Sequence, residues 1–186
     1  METHDLNTKP DIKKPSHTEE LVDHYWGSIN YVFGLIKASE IKAGLILSFY
    51  GIILNFIYQN VSHSFVQISK DYLLYTLIGL WFVCTVTSIY FSIRCFMPKI
   101  EAKYEKNMFF FGDVVHKFGS IKEFSRTFYK TSLDEEELFD QLGQQIYIIS
   151  KIAAYKFKNV NRALRLLAVG LVLFLIMIMY IIFIGD

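Results

Sequence analysis

Cysteine is scarce, charge is balanced, and no catalytic signature is present. The two cysteines, Cys84 and Cys95, both fall inside an apolar run. With no secretory signal ahead of them, they read as small apolar residues of a membrane helix rather than a disulfide framework. The net charge is +1, so no strong field draws the chain to nucleic acid. Zinc-finger spacing, an RNP-like segment and a long basic run are all missing. The five histidines, His4, His17, His24, His63 and His116, are scattered, and none has a ligand partner at helical spacing. No Gly-rich phosphate loop and no nucleophile motif occur. These absences point away from an enzyme, a bound metal or a cofactor. The opening stretch "METHDLNTKPDIKKPSH" is polar, holds two of the three prolines and lacks an apolar signal core, so residues 1–17 are expected to form a disordered tail.

What is present is apolar surface. Hydrophobic residues make up 53% and aromatics 17% of the chain, the former above the ~45–50% of average soluble domains. Three segments have the composition of membrane spans: Ala43–Tyr58, Tyr72–Ile93 and Leu166–Ile184. The first is short against the ~20 residues a bilayer needs, so flanking residues including Ile41 must extend it, with Lys42 snorkelling to the headgroups. The other two carry no charge at all. Lysine and arginine are sparse in the link between the first two spans, where Lys70 stands alone. They are frequent after the second span: Arg94, Lys99, Lys103, Lys106, Lys151, Lys156, Lys158, Arg162 and Arg165. The positive-inside rule then places the N-terminus and residues 98–165 in the cytoplasm, and the C-terminus outside. The expected fold is an all-α integral membrane protein: three transmembrane helices with a cytoplasmic helical bundle between spans two and three.

Small residues recur on the spans. Gly44, Ser48, Gly51 and Asn55 share one face of the first by their steps of four, three and four. Small faces let helices approach in lipid, and an Asn can hydrogen-bond across. This face is expected to serve packing within the hairpin (residues 41–95), a contact between copies in a homo-oligomer, or both. Cys84, Ser88, Ser92 and Cys95 form a similar face on the second span. Ahead of the first span, residues 18–40 form an amphipathic helix. Ser16 and Glu19 have capping-box spacing, and Val22, Tyr25, Trp26, Ile29, Val32, Phe33 and Ile36 form its stripe. The stripe suits packing on the helices of the 98–165 region better than the bilayer surface, because few lysines flank it.

In that region Ile100, Tyr104, Met108, Phe111, Val115 and Phe118 recur at steps of three and four, which predicts one helix from Pro98 to Gly119. Ser120 with Glu123 opens a short helix with Ile121, Phe124 and Phe128 facing inward, and Ser132 with Glu135 opens the last. The acids 134–137 suit a helix start, where the dipole favours negative charge. The stripe Leu138, Leu142, Ile146, Ile149, Ala153, Phe157, Val160 and Leu164 carries no Gly or Pro after Gln144, so the last helix is expected to run unbroken into the third span (166–184). Cations such as Lys117, Arg126 and Lys156, with Phe109, Tyr129 and Tyr155, would suit an anionic, planar ligand. The alternative is that the cations set topology and the aromatics form core.

Three blocks in order, "ASEIKAGLILSFYG" (38–51), "NMFFFGDV" (107–114) and "QQIYIISKIAAYKFKNVNRALRLL" (144–167), give the chain a resemblance. It is similar to the transmembrane effector family of the Pycsar antiphage systems. That family tends to have an Asp just before the Lys-Ala step of the first block, where this chain reads Ser39-Glu40-Ile41-Lys42-Ala43. The resemblance implies a role in the bacterial inner membrane. A partner nucleotide cyclase makes a cyclic pyrimidine mononucleotide, cCMP or cUMP; the effector senses it and impairs the membrane, causing abortive infection. It also picks out Asn107, Phe111, Gly112, Ser150 and Lys156. Helical spacing adds Gln145, eleven residues before Lys156 and on nearly the same face. In this reading Lys156 meets the phosphate, one of Phe109, Phe110 and Phe111 stacks on the base, and Gln145 or Asn107 reads the base edge. The alternative is that these residues hold the bundle together. Two other readings of the whole chain are an effector gated by another cyclic (oligo)nucleotide and a non-enzymatic membrane anchor.

Overall fold

The computed structural model describes residues 17–64, 72–97 and 105–184. These residues form five helices: α1 (His17–Ser64), α2 (Tyr72–Phe96), α3 (Phe111–His116), α4 (Ile121–Leu133) and α5 (Glu135–Ile184). No strand occurs among them. The Ser16 cap and most of the 1–17 tail lie outside the described residues.

Two helices dominate. α1 has 48 residues and α5 has 50, about 72 and 75 Å at ~1.5 Å per residue. α1 passes without a break from the amphipathic segment 18–40 into the first apolar segment. α5 passes in the same way from its acidic first turn into the third. α1, α2 and α5 are each long and apolar enough to cross a membrane. Their apolar segments carry large side chains on the outside: Leu45, Ile52 and Phe56 on α1, and Val172, Leu175, Met179 and Ile182 on α5, are exposed. A surface of this kind needs lipid or another helix against it.

Packing fixes the helix directions. Thr18 hydrogen-bonds Glu135, Tyr25 stacks on Phe139, Ile29 and Val32 share a core with Leu142 and Ile149, and Ala43 shares another with Val160 and Ala163. Numbers rise together, so α1 and α5 are parallel. α2 is antiparallel to α5: Trp81 meets Phe174, Gly170 lies against Cys84, and Ser88 donates to the Ala163 carbonyl at 2.8 Å. The expected small face of α2 is thereby used inside the protomer, with Cys84, Ser88, Ser92 and Cys95 all buried. The amphipathic stripe of α1 likewise packs on α5, with Ile29 and Val32 buried and Tyr25 and Ile36 against the same cluster. Phe33, also counted in that stripe, is half-exposed.

The single helix predicted between Pro98 and Gly119 is not what forms. Residues 98–104 lie outside the described residues. Residues 105–110 make a turn, and only Phe111–His116 are helical. Side chains win over helix here: Asn107 Oδ1 accepts from the Phe109 N–H at 2.9 Å, and Asp113 Oδ2 accepts from the Asn107 N–H at 2.9 Å. Asn and Asp compete with the helix ladder in this way. The phenylalanines therefore swap roles. Phe111, expected in the core, is 80% exposed, whereas Phe109 packs against the α1–α5 core. Val115 and Ile121, expected inward, are exposed as well.

The capping prediction holds at α4 and shifts at α5. Ser120 Oγ accepts from the Glu123 N–H at 3.1 Å, and the Glu123 carboxylate accepts from the Gly119 N–H at 3.1 Å. At α5 the cap is Asp134, which accepts from the Glu137 N–H at 3.2 Å. Ser132 instead donates to the Phe128 carbonyl inside α4 at 2.7 Å.

Candidate functional site

Two polar clusters lie along α5. The first is built on Asn107, which is fully buried. Its amide Nδ2 donates to the Gln141 carbonyl at 2.7 Å. Gln141 answers with its side chain: Oε1 accepts from the Met108 N–H at 3.2 Å. Asp113, buried at the start of α3, is held by Lys117 at 3.0 Å. This frame drives Met108 and Phe109 inward. Phe109 meets Trp26 of α1 and Phe128 of α4 edge-on, each at 5.9 Å. The ring series continues through Phe124 to Phe118, and Lys106 caps it at 3.8 Å from the Phe118 ring. Phe110 is half-buried, and its ring lies so close to Gly112 that a Cβ there would come within 2.8 Å of it. Gly112 is thus explained by a neighbouring side chain.

Lys106 also pairs with Glu123 at 2.7 Å. That contact and the Gly119 N–H hold the Glu123 carboxyl below its usual 4.5. A depressed carboxylate contributes stability that is complete above its unfolded value and is lost as pH falls through the folded one. Acidification below about 4.5 is therefore expected to loosen the 106–123 contact. Lys106→Ala should move the Glu123 midpoint up toward 4.5, read by carboxyl 13C chemical shift. An unmoved midpoint counts against the pairing.

The second cluster joins all three long helices. Lys156 of α5 has a side chain only 3% exposed. Its ammonium donates to Glu40 of α1 at 2.6 Å and to the Cys95 carbonyl of α2 at 2.9 Å. Cys95 stands in the last turn of α2, where carbonyls lack helical partners, so the lysine caps that helix from outside. The Cys95 thiol in turn faces the Ser39 carbonyl at 3.7 Å. Beside the cluster, Arg94 donates to the Tyr155 hydroxyl at 2.6 Å and the Tyr90 hydroxyl at 3.1 Å, lying near both ring faces.

The residues singled out from sequence are not gathered in one place. Asn107 reaches Gln141, and Lys156 is fifteen residues further along α5, about 22 Å at ~1.5 Å per residue. That is roughly the reach of six extended residues, so one mononucleotide does not touch both within a protomer. Gln145 shares the Lys156 face, is buried, and its Oε1 has no hydrogen-bond partner among the described residues. Ser150 is half-buried between them and about a third of a turn away from Lys156. On α1, Ser48, Gly51 and Asn55 are exposed, and a Cβ at Gly51 would meet nothing within 4 Å. Only Gly44 approaches a neighbour, Phe96 of α2. Beyond Gly44, this face is left open rather than used in the α1–α2 contact. No cluster of three or more metal-ligating side chains occurs among the described residues. Sequence reasoning missed Gln141 as the partner of Asn107 and Arg94 as the partner of Tyr155; nothing in their local spacing marks either.

No curated protein and no solved structure matches the chain. The family model for PycTM, the Pycsar effector protein domain, matches residues 24–183. That range starts in the first third of α1, takes in both polar clusters and ends one residue short of the end of α5. With nearly all of its folded length inside the match, and three helices able to cross a membrane, the chain belongs to the Pycsar effector family.

Proposed function

We propose that this chain is an antiphage effector of the inner membrane that senses cCMP or cUMP from a partner cyclase and impairs the bilayer, causing abortive infection. The N-terminus and residues 98–165 face the cytoplasm in this reading. The observation that carries it is continuity: α1 and α5 run unbroken from the polar clusters into apolar segments. A shift at one end of a packed helix is delivered to the other rather than absorbed. The Lys156 junction is the favoured ligand end. Glu40 is 39% exposed, so a phosphate can take its place on the buried ammonium, while Tyr155 and Arg94 offer a ring and a guanidinium to the base. Asn107 then acts with Gln141 as the frame that holds the 105–117 turn to α5, and Gly112 leaves room there for the Phe110 ring. Phe110 and Phe111 belong to that turn, Phe111 as its exposed aromatic. Self-association through the face of Gly44, Ser48, Gly51 and Asn55, open at its last three residues, supplies the several helices that a breach of the membrane requires.

The test uses the full chain in nanodiscs and in cells. Purified protein should bind cCMP or cUMP, and Lys156→Ala should weaken binding at least tenfold. Ligand should collapse the membrane potential in cells making the native protein. Gly51→Leu should abolish that collapse and leave binding intact. Absence of binding to either nucleotide removes the sensing claim, and collapse that persists in Gly51→Leu removes the oligomer face.

A further inference from the structure

Cations crowd the point where α5 becomes apolar. Lys158, Arg162 and Arg165 follow at steps of four and three, so they share one face of the helix. All three are exposed, and among the described residues none of them makes an ion pair. No carboxylate stands ready for them either. α2 has no Asp or Glu, and α5 has none after Asp140. Glu40, the last carboxylate of α1, is taken by Lys156. What meets Arg162 is a ring: its guanidinium lies 5.4 Å from the centroid of Phe91 on α2. A cation held by an aromatic face keeps its N–H donors for an anion.

The same stripe of α5 continues with a different character. Val169, Val172 and Ile176 extend it by steps of four, three and four, and all are exposed. Across the seam, Leu80 of α2 stands eleven residues before Phe91, on nearly the same face, and is exposed as well. α2 is antiparallel to α5, with Trp81 against Phe174, so Leu80 lies at the depth of Val172 and Ile176. The outer side of the α2–α5 seam is thus cationic at one end and apolar along the rest. A small soluble anion uses only the first part. A lipid with an acidic headgroup uses both.

We propose that an anionic phospholipid is held on this seam, its phosphate on Arg162 with Lys158 and Arg165 around it, and an acyl chain along Val169, Val172 and Ile176. The guanidinium fork matches two phosphate oxygens at once, and basic sites between membrane helices suit acidic headgroups. The site is independent of the nucleotide-sensing reading. Lys156 stands a third of a turn away from Arg162 on α5 and points between the helices, to Glu40 and the Cys95 carbonyl. Arg94 is bonded to Tyr155 and Tyr90 and takes no part. A lipid so placed ties α5 to α2 where both enter the bilayer.

Electron spin resonance of the full chain in phosphatidylcholine bilayers tests this. Phosphatidylglycerol and phosphatidylcholine with the same spin-labelled chain are compared for the fraction immobilised at the protein. The native protein should select phosphatidylglycerol several-fold. The triple variant Lys158→Gln, Arg162→Gln, Arg165→Gln should bring the two lipids near parity. The variant Lys122→Gln, Arg126→Gln, Lys130→Gln removes the same charge from α4 and should keep the preference. α4 packs on Phe109, whose turn is bonded to Gln141, roughly 30 Å along α5 from Arg162. No preference in the native protein overturns the proposal. A preference kept by the α5 variant, or lost equally in both variants, overturns the site as placed. A preference abolished by soluble glycerol phosphate shows a free-phosphate site and overturns the lipid as its occupant. The native comparison needs no variant to fold.

Discussion

Glu40→Ala is expected to destabilise the protein more than Lys156→Met, although both break the same ion pair. The asymmetry follows from burial. The Lys156 side chain is 3% exposed and Glu40 39%. Removing Glu40 leaves a buried ammonium with the Cys95 carbonyl as its one remaining partner. Taking one partner from a buried charge typically costs about 3–5 kcal/mol. Removing Lys156 leaves a carboxylate that can turn to water, and Met fills the stem volume. The loss is then mainly the cap on the α2 carbonyl, about 1–2 kcal/mol. The double variant removes both charges and should recover most of the Glu40→Ala loss, since no unpaired charge stays buried. Thermal unfolding in detergent micelles reads all three. Equal losses for the single variants, or a double variant as unstable as their sum, would show that the pair is not buried as described. The pair also decides how the three long helices are held together. Lys156 bonds both α1 and α2 from α5, so loss of Glu40 should weaken the α1–α5 contact next to it.

Asn107→Ala has the second large effect, and it is local. The substitution strips the amide donor from the Gln141 carbonyl and the acceptor from the Phe109 N–H. The Phe109 N–H then lacks its acceptor in a half-buried place while the Gln141 carbonyl keeps its helical partner, so the loss is about 1–3 kcal/mol in all. The 105–117 turn should detach from α5, drawing Met108 out of its buried place and Phe109 from beside Trp26. Amide hydrogen exchange should rise at least tenfold over 107–113, with little change over α2. Asn107→Asp makes a sharper comparison. It keeps the acceptor for Phe109 but loses the donor to Gln141 and sets a second carboxylate beside Asp113, so it should be no better tolerated than Ala. Exchange that stays slow in both variants would mean that ring packing, and not the amide, holds the turn.

Much of this was legible from residue order, and the failures are instructive. The stripe Ile29 and Val32 on α1, and Leu142, Ile149 and Ala153 on α5, is a period that survives in one buried cluster, because a long amphipathic helix has one way to hide its apolar face. The unbroken α5 followed from the lack of Gly and Pro between Gln144 and Ala168. The turn at Asn107 did not follow. Met108, Phe111, Val115 and Phe118 keep helical spacing, yet a side chain that bonds the backbone outweighs a period carried by so few residues. The same turn reverses Phe109 and Phe111, since a broken helix resets which positions face inward.

The sequence by itself determined the apolar segments of the long helices, the run of the last helix into the third of them, and the likeness to one effector family that the family match bears out. These properties are local, written in composition and period. Only the tertiary structure decided which residues meet. Lys156 finds Glu40 116 positions away, and Asn107 finds Gln141 34 positions away. It also spread the singled-out residues along ~22 Å of α5 and left Ser48, Gly51 and Asn55 on an open surface. The physical reason is that hydrogen bonds and ion pairs need partners within about 3 Å, and no periodicity along one helix records which neighbour the packing will bring that close.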